Sequence, residues 1–353
     1  MVIKRFLLAC LFFLVMKLPY VTGELKGIGG RIKSNLEDFS VEEVGLYEPC
    51  GSGEHIYVNV TKRGVTTREV QERLVKLFGL KNSDVSAAGM KDKDAVATQT
   101  FSLRTGVSEE EVKEKVEREL GVKVNFVKRH KNKLRIGHLL GNRFRIVVRG
   151  VCADALERVE EIRKVIEEKG IPNYYGEQRF GIEGGNVQKG IEFIKGSFKV
   201  KDRWLRRWYV SCYQSYLCNV YLAERMKRGL FDRILLGDVC KKYDTGGMFV
   251  VEEVEKEQKR YGDKEISFTV PVYGLKMRRA EDEALQFEEE IIEGSEVELK
   301  ELERVGAGGT RRLGRLLVRD LKVEKCGDSE LVFSFYLPKG GYATVVMREF
   351  VKC

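Results

Sequence analysis

The sequence predicts an α+β fold built around an antiparallel or mixed sheet with flanking helices. Short segments of alternating apolar and polar residues, typical of half-buried strands, are interleaved with amphipathic helical segments in the first part of the chain. Strands with one apolar face favour antiparallel or mixed pairing, because parallel strands are usually buried on both faces. At 353 residues and 43% hydrophobic content, the chain is long enough for a buried core and about two to three domains.

The first strands are predicted within 31–60, where apolar and polar residues alternate on both sides of the turn CGSGE. This pattern indicates two strands joined by a hairpin-like loop. A helix follows, because Thr66 and Glu69 have the spacing of a capping box and Gly79 can end the helix. A second short helix is predicted to begin at Ser108, with Val112, Val116 and Leu120 facing inward.

The remaining elements divide the chain into two kinds of segment. The segment RFRIVVRG (143–150) alternates as a strand, and the amphipathic segment 153–170 is a helix that ends at Gly170. Helix-like runs, a charged stretch and glycine-rich joints fill 186–309, which we interpret as a second domain inserted into the first. The C-terminal segment LVFSFYLPKGGYATVVMREFVK (331–352) has strand character again and is expected to rejoin the first sheet.

The composition favours a polyanionic partner. A net charge of +9, from 63 Lys and Arg against 54 Asp and Glu, makes nucleic acid the first candidate. The eight cysteines are scattered, without a C-x-x-C pair or a Cys/His cluster at zinc spacing, so reduced thiols are expected. The three histidines, His55, His130 and His138, are too few and too far apart in the sequence to suggest a metal site. We therefore expect no metal.

The N-terminal segment 1–23 carries a pattern that conflicts with an intracellular protein. Its basic start and the apolar run from Phe6 to Met16 resemble a signal peptide, although this run is too short to span a bilayer. No small-x-small cleavage site and no disulfide spacing follow. We expect translation to begin at Met16 and the protein to be cytoplasmic, without stable membrane association. The alternatives are an apolar segment packed on the core, or a secreted or membrane-anchored protein.

Asp92 lies between Lys91 and Lys93 in the segment AGMKDKDAVATQ (88–99). Positive neighbours favour the ionised form of a carboxylate, which suits a nucleophile. Small residues flank the turn on both sides, so a bulky ligand can come close. The alternative is a solvated turn without a chemical role. Asp92 is therefore a candidate catalytic carboxylate.

The segment IPNYYGEQRFGIEGGNVQKG (171–190) concentrates aromatic, amide and charged side chains between glycines, without a helical or strand period. Such a loop can stack a flat base and form hydrogen bonds with its edges. The alternative is an ordinary folded loop with one ion pair between Glu177 and Arg179. The candidate binding residues of this loop are Asn173, Tyr175 and Arg179.

The most basic run of the chain is KRHKNKLR (128–135), for which a phosphate backbone is the natural counterpart. Arg129, Lys131 and Arg135 are candidate phosphate-binding residues. The alternative is a solvated lysine-rich face. A second basic stretch, GAGGTRRLGRLLVR (306–319), is not a P-loop, because no Lys-Ser/Thr pair follows its glycines.

Seven collinear strings, each weak alone, together resemble the TruD family of pseudouridine synthases over about residues 33–349. They are K-x-x-x-E-D-F-x-V-E-E, GSGEH, AGMKDKDAVATQ, RHKNKLRIG, PNYYGEQRFG, YQSYLCN and LPKGGYATVVMRE. The resemblance implies a V-shaped protein with an RNA-binding cleft. A pseudouridine synthase catalytic domain would occupy 24–185 and 310–353, and the inserted TRUD domain, of α/β type, would occupy 186–309.

The resemblance also implies a role for each matching residue. Asp92 would be the catalytic aspartate, and Lys33 and Phe39 would line the site. Asn173 would form a hydrogen bond near the carboxylate. Tyr175 stands where the family has an aromatic ring that stacks on the target uracil, more often a phenylalanine.

The implied activity is conversion of a uridine in tRNA, commonly position 13, to pseudouridine. Because this isomerisation has no net redox change, no metal or nucleotide cofactor is expected. The alternative function is a non-catalytic RNA-binding or RNA-chaperone protein that keeps the cleft without the chemistry. The presence of both Asp92 and Asn173 within intact motifs argues against this alternative.

Overall fold

The computed structural model describes residues 18–352 of the chain. The expected start at Met16 and the apolar run before it lie outside the described residues. The described chain divides into two compact units. The sheet unit comprises 26–161, 318–343 and 350–352, and the helical unit comprises 18–25, 162–317 and 344–349. The predicted insertion, 186–309, falls within the helical unit, and its boundaries stay a prediction.

The sheet unit contains, in the described part of the chain, a nine-stranded mixed sheet. Its strands are β1 (Gly29–Arg31), β2 (Phe39–Gly45), β3 (His55–Arg63), β4 (Val85–Ala87), β5 (Val96–Arg104), β6 (Lys123–His130), β7 (Leu139–Val151), β14 (Arg319–Gly327) and β15 (Glu330–Pro338). The order is β14-β15-β7-β2-β5-β3-β6, with β1 beside β7 and β4 beside β5. β2 runs parallel to β5, and the other described pairs in this sheet are antiparallel. The predicted α+β class with a mixed sheet is confirmed.

The predicted hairpin between β2 and β3 is wrong. Both strands form at their predicted places, but β5 lies between them, parallel to β2 and antiparallel to β3. The connection over 46–54 is long enough to pass over one strand, whereas a tight hairpin needs only two to five loop residues. The alternating pattern therefore identified the strands but not their partners.

The helices of the described chain are α1 (Thr67–Leu77), α2 (Glu109–Leu120), α3 (Ala155–Lys169), α4 (Gly185–Lys195), α5 (Arg203–Lys227), α6 (Val254–Gly262), α7 (Asp282–Glu293), α8 (Leu299–Arg304) and α9 (Ala343–Val351). α1 begins as predicted, since the Glu69 amide donates to the Thr66 hydroxyl and the Thr66 amide donates to the Glu69 carboxylate. In α2 the Ser108 hydroxyl accepts from the Glu111 amide. Both helices pack against the apolar face of β3 and its neighbours.

The helical unit carries its own small sheets. Strands β9 (Val239–Lys242), β10 (Met248–Val250), β11 (Ile266–Val272) and β12 (Thr310–Leu313) follow the order β10-β9-β11-β12, and β8 (Ile171–Pro172) pairs with β13 (Arg315–Leu316). Arg225 on α5 is fully buried and forms two hydrogen bonds with the Asp238 carboxylate at 2.9 and 2.7 Å. Its guanidinium carbon also lies 3.8 Å from the centre of the Phe268 ring. This ion pair is part of the core.

The C-terminal segment is half strand and half helix. The predicted return to the first sheet is confirmed for β15, which pairs with β7 along its whole length. The rest of the prediction is wrong, because 343–351 forms α9. Its buried Ala343, Val346, Met347 and Phe350 follow helical spacing, and the β-branched residues among them concealed that period.

Candidate active site

Asp92 lies on the loop between β4 and β5, and buried groups anchor this loop. The neighbouring Ala88 and Ala95 are buried, so the main chain lies close to the core. The Lys91 amide donates to the Thr67 hydroxyl at 2.8 Å, and that hydroxyl donates to the Gln99 side chain at 2.8 Å. The small residues that the sequence places around the turn thus allow close packing of the loop.

The Asp92 side chain is 44% exposed and meets one lysine at close range. The Lys33 ammonium donates to its carboxylate at 3.0 Å. The same ammonium lies 4.4 Å from the centre of the buried Phe39 ring. Lys33, Phe39 and Asp92, which the sequence places far apart, therefore form one cluster in the sheet unit.

The segment that carries Lys33 and Phe39 is fixed by an ion pair between the buried Asp38 and the partly exposed Arg149. The Arg149 guanidinium donates to both oxygens of Asp38, at 2.8 to 3.1 Å, and these hydrogen bonds lower the pKa of that carboxyl. Lys33 itself has a φ of 58°, in the left-handed region that non-glycine residues rarely adopt. Such strain persists only where the surrounding structure imposes it.

Lys91, which directly precedes Asp92 in the sequence, forms its ion pair with a different carboxylate. The Lys91 side chain is buried and donates to the Glu43 carboxylate at 3.0 Å. Glu43 also accepts from the Thr100 amide at 3.3 Å. The expectation that both flanking lysines act on Asp92 is therefore corrected for Lys91, and the ammonium that contacts the carboxylate belongs to Lys33.

Asn173 follows β8 in the helical unit, and both ends of its side-chain amide group form hydrogen bonds. Its side-chain amide donates to the Leu313 carbonyl at 2.9 Å. Its side-chain oxygen accepts from the Arg312 guanidinium at 2.6 Å, and its main-chain carbonyl accepts from the same guanidinium at 3.1 Å. Arg312 lies in the basic stretch 306–319 but was not singled out from the sequence.

Tyr175 presents its ring beside two guanidinium groups. The guanidinium carbon of Arg312 lies 4.1 Å from the ring centre, and that of Arg179 lies 5.1 Å from it. Arg179 in turn donates to the Ser215 hydroxyl at 2.6 Å and to the Ser211 hydroxyl at 3.1 Å. Asn173, Tyr175 and Arg179 thus form a second cluster, within the helical unit. Its charge and aromatic surface are suited to a base or a phosphate.

The three basic candidates of the run 128–135 differ in their surroundings. The Arg129 guanidinium donates to the carbonyls of Gly53 at 3.3 Å and Val107 at 2.9 Å. The side chains of Lys131 and Arg135 are exposed. Lys131 and Arg135 are therefore presented to solvent, whereas Arg129 also connects two loops of the sheet unit.

Lys62 was missed by the sequence analysis although the pattern contains a signal for it. In β3 the residues Ile56, Val58 and Val60 form the apolar face, and Lys62 takes the next position on that face. A lysine at an inward position of a strand requires hydrogen-bond partners. Its ammonium donates to two main-chain carbonyls, one of which belongs to Asp92.

Neither a metal-binding cluster nor a membrane-spanning helix is found among the described residues. They contain no group of three or more His, Cys, Asp or Glu side chains that could hold a metal ion. Among the helices of the described chain, none combines the length and the apolar character that spanning a bilayer requires.

The family model described as tRNA pseudouridine synthase D (TruD) matches residues 16–200 and 186–350. The chain belongs to this family. The resemblance seen in the sequence is therefore confirmed. Members of the TruD family are pseudouridine synthases, which are isomerases.

Individual relatives support the same membership. The chain is 42% identical, over 342 residues, to tRNA pseudouridine synthase D of Anaeromyxobacter sp. (strain Fw109-5), covering 95% of this chain and 96% of that protein. It is 41% identical to a tRNA pseudouridine synthase D of Thermus thermophilus, covering 97% of this chain and 94% of that protein. A crystal structure assigned to TruD of Methanosarcina mazei has a TM-score of 0.74 at 24% identity, covering 95% and 96%. This last likeness shows that the TruD fold is shared.

Proposed function

We propose that the chain is a tRNA pseudouridine synthase that isomerises a uridine of the D arm, position 13, with Asp92 as its essential carboxylate. The observation that carries the proposal is the geometry of Asp92 in a chain of the TruD family. Its carboxylate is partly exposed, lies 3.0 Å from the Lys33 ammonium, and sits on a loop anchored by buried side chains. A carboxylate that is both accessible and held can react with a substrate.

The proposed reaction exchanges one glycosidic bond for another. The N1–C1′ bond of uridine breaks, the uracil turns, and the C5–C1′ bond forms, while the C5 proton is lost and N1 gains a proton. The Asp92 carboxylate acts on the ribose beside C1′, where the sugar is electron-deficient once the base has departed. The reaction has no net redox change, so the proposal includes no metal and no nucleotide cofactor. The proposed location is the cytoplasm.

Asn173, Tyr175 and Arg179 are proposed to bind the target nucleotide, with the Tyr175 ring restraining the uracil while it turns. Tyr175→Phe keeps the ring and is expected to keep the rate within about threefold. Tyr175→Leu removes a stacking contact that contributes about 1–3 kcal/mol, so the rate is expected to fall by about 5- to 150-fold. Single-turnover pseudouridine formation measures both variants. Equal rates for Leu and Phe would contradict the stacking role.

Lys131 and Arg135 are proposed to bind tRNA phosphates. Each alanine variant is expected to reduce the slope of log K against log salt by about 0.7–0.9, the contribution of one phosphate contact. Filter binding between about 50 and 300 mM KCl measures the slope. Arg129→Ala is expected to change the slope and also to lower the melting temperature, because Arg129 also bonds two loop carbonyls. An unchanged slope in all three variants would contradict phosphate binding.

The activity is tested by mapping pseudouridine, through carbodiimide adducts and primer extension, on an unmodified tRNA transcript incubated with the purified protein. A new stop at position 13 supports the proposal. A stop at another uridine supports the activity and corrects the position. Tight, salt-dependent binding without any stop supports the non-catalytic RNA-binding alternative.

A further inference from the structure

Lys62 is a buried lysine at the end of β3, and its described acceptors are both main-chain carbonyls. Its side chain has 0% exposure. Its ammonium donates to the Val65 carbonyl at 2.6 Å and to the Asp92 carbonyl at 2.9 Å. These acceptors belong to the turn before α1 and to the loop between β4 and β5. The ammonium therefore joins the two segments.

The contact with Asp92 differs from the other anchors of its loop. Thr67 holds the Lys91 amide, and the Gln99 amide donates to the Gly89 carbonyl at 3.4 Å. Lys62 instead holds the peptide group of Asp92 itself. Because the orientation of that peptide decides where the side chain points, the Lys62 contact acts on the direction of the carboxylate.

A buried ammonium is costly, so stability alone would favour an apolar residue here. Burial lowers the pKa of Lys62 to about 8, with Lys91 acting in the same direction and Asp92 and Glu69 opposing it. Among the described residues, the charged groups that shift this pKa are Lys91 and Asp92 on the loop and Glu69 on α1. A methionine of similar length would fill the space without that cost.

We propose that Lys62 is a positioning residue whose protonated ammonium holds the Asp92 main chain in the orientation that presents the carboxylate to the ribose. This inference rests on the proposed function, because it assigns Lys62 a role through Asp92. In this role Lys62 acts on the reaction through the Asp92 main chain. Its substitution should slow the chemical step and leave tRNA binding unchanged.

Titration of Lys62 should make the reaction rate depend on pH. As pH rises through about 8, the folded protein loses the ammonium proton, the donor becomes weaker and the rate should fall. The free energy of unfolding, in contrast to the rate, should rise with pH. The unfolded lysine keeps its proton up to about pH 10.4, so the unfolded state binds more protons between about 8 and 10.4 and the free energy of unfolding rises with pH in this window.

The test compares wild type with Lys62→Met and Lys62→Gln in single-turnover pseudouridine formation from about pH 6.5 to 9.5. Lys62→Met is expected to lower the rate at pH 7 by about 10- to 100-fold, as expected for a misplaced reacting group, with the tRNA Kd within twofold. Lys62→Gln keeps a neutral hydrogen-bond donor, so its rate should lie between the rates of wild type and Lys62→Met. Both variants should lack the fall in rate above pH 8. Lys300→Met removes one exposed charge and should match wild type in rate and profile.

The outcomes separate this inference from the proposed function. Turnover by Asp92→Asn overturns both. An inactive Asp92→Asn together with a Lys62→Met that matches wild type in rate and pH profile overturns only the role of Lys62. A loss of tRNA affinity at unchanged rate overturns it as well. If Lys62→Met does not fold, the test rests on the pH dependence of the rate in wild type and in Lys62→Gln. A wild-type rate that stays constant up to about pH 9.5 overturns the inference.

Discussion

Replacing Asp92 by asparagine is expected to abolish pseudouridine formation and to leave tRNA affinity within about twofold. The substitution keeps the shape of the side chain but removes the charge that acts on the ribose. Removal of a reacting group lowers rates by at least about 10³-fold. Folding should be unaffected, because the side chain is 44% exposed and the loop is anchored through other groups. Single-turnover mapping measures the rate of pseudouridine formation, and filter binding measures the tRNA affinity.

Asp94→Asn is the matched control for this variant. Asp94 is an exposed aspartate in the same turn, and its substitution removes the same charge two residues away. Its rate is expected to stay within about threefold of wild type. Turnover by Asp92→Asn, or an equal loss of rate in Asp94→Asn, would remove the support for Asp92 as the essential carboxylate.

Replacing Arg225 by methionine is expected to lower the free energy of unfolding by about 3–5 kcal/mol, because it leaves the buried Asp238 carboxylate without its cation. The variant also loses the hydrogen bond that Arg225 donates to the Tyr221 hydroxyl at 2.8 Å. Urea unfolding, followed through the change in midpoint at constant slope, measures the effect. The double variant Arg225→Met with Asp238→Leu should recover part of the loss.

Arg228→Met provides the control for this region of the chain. Arg228, directly after α5, forms an exposed ion pair with Glu290 at 2.8 Å, and such pairs contribute about 0–1 kcal/mol. If the two substitutions destabilise the protein equally, the burial of the Arg225 pair is not the cause.

The sequence identified the residues of the candidate site more readily than their partners. Asp92, Asn173 and Tyr175 stand in dense motifs, and their type and order were enough to single them out. The Lys33 contact with Asp92 joins positions that no local spacing relates. The inward turn of Lys91 toward Glu43 depends on the neighbouring strand. Partners fixed by tertiary packing carry no local signal, except where a charged residue such as Lys62 interrupts an apolar face.

The fold shows the same division. Helix starts at Thr66 and Ser108 were predictable because capping is a contact between residues three apart. The pairing of β2 with β5 was not, since strand order depends on which edges remain available after the chain has crossed the sheet. In α9, β-branched residues favoured strand by local propensity, and burial of the helical face overrode that preference.

The pairing of β7 with β15 has a consequence for how the protein is made. Residues 141–149 of β7 leave the ribosome before the whole of 162–317, and their partner, 330–338, follows only at the end. At about 5–20 residues per second, synthesis of the intervening chain takes roughly 10 to 35 seconds, and that edge of β7 lacks its final partner during this time. An unpaired strand edge is a template for association with other chains. We therefore expect the nascent chain to depend on chaperones during this interval. A truncated chain that ends before residue 330 is expected to aggregate.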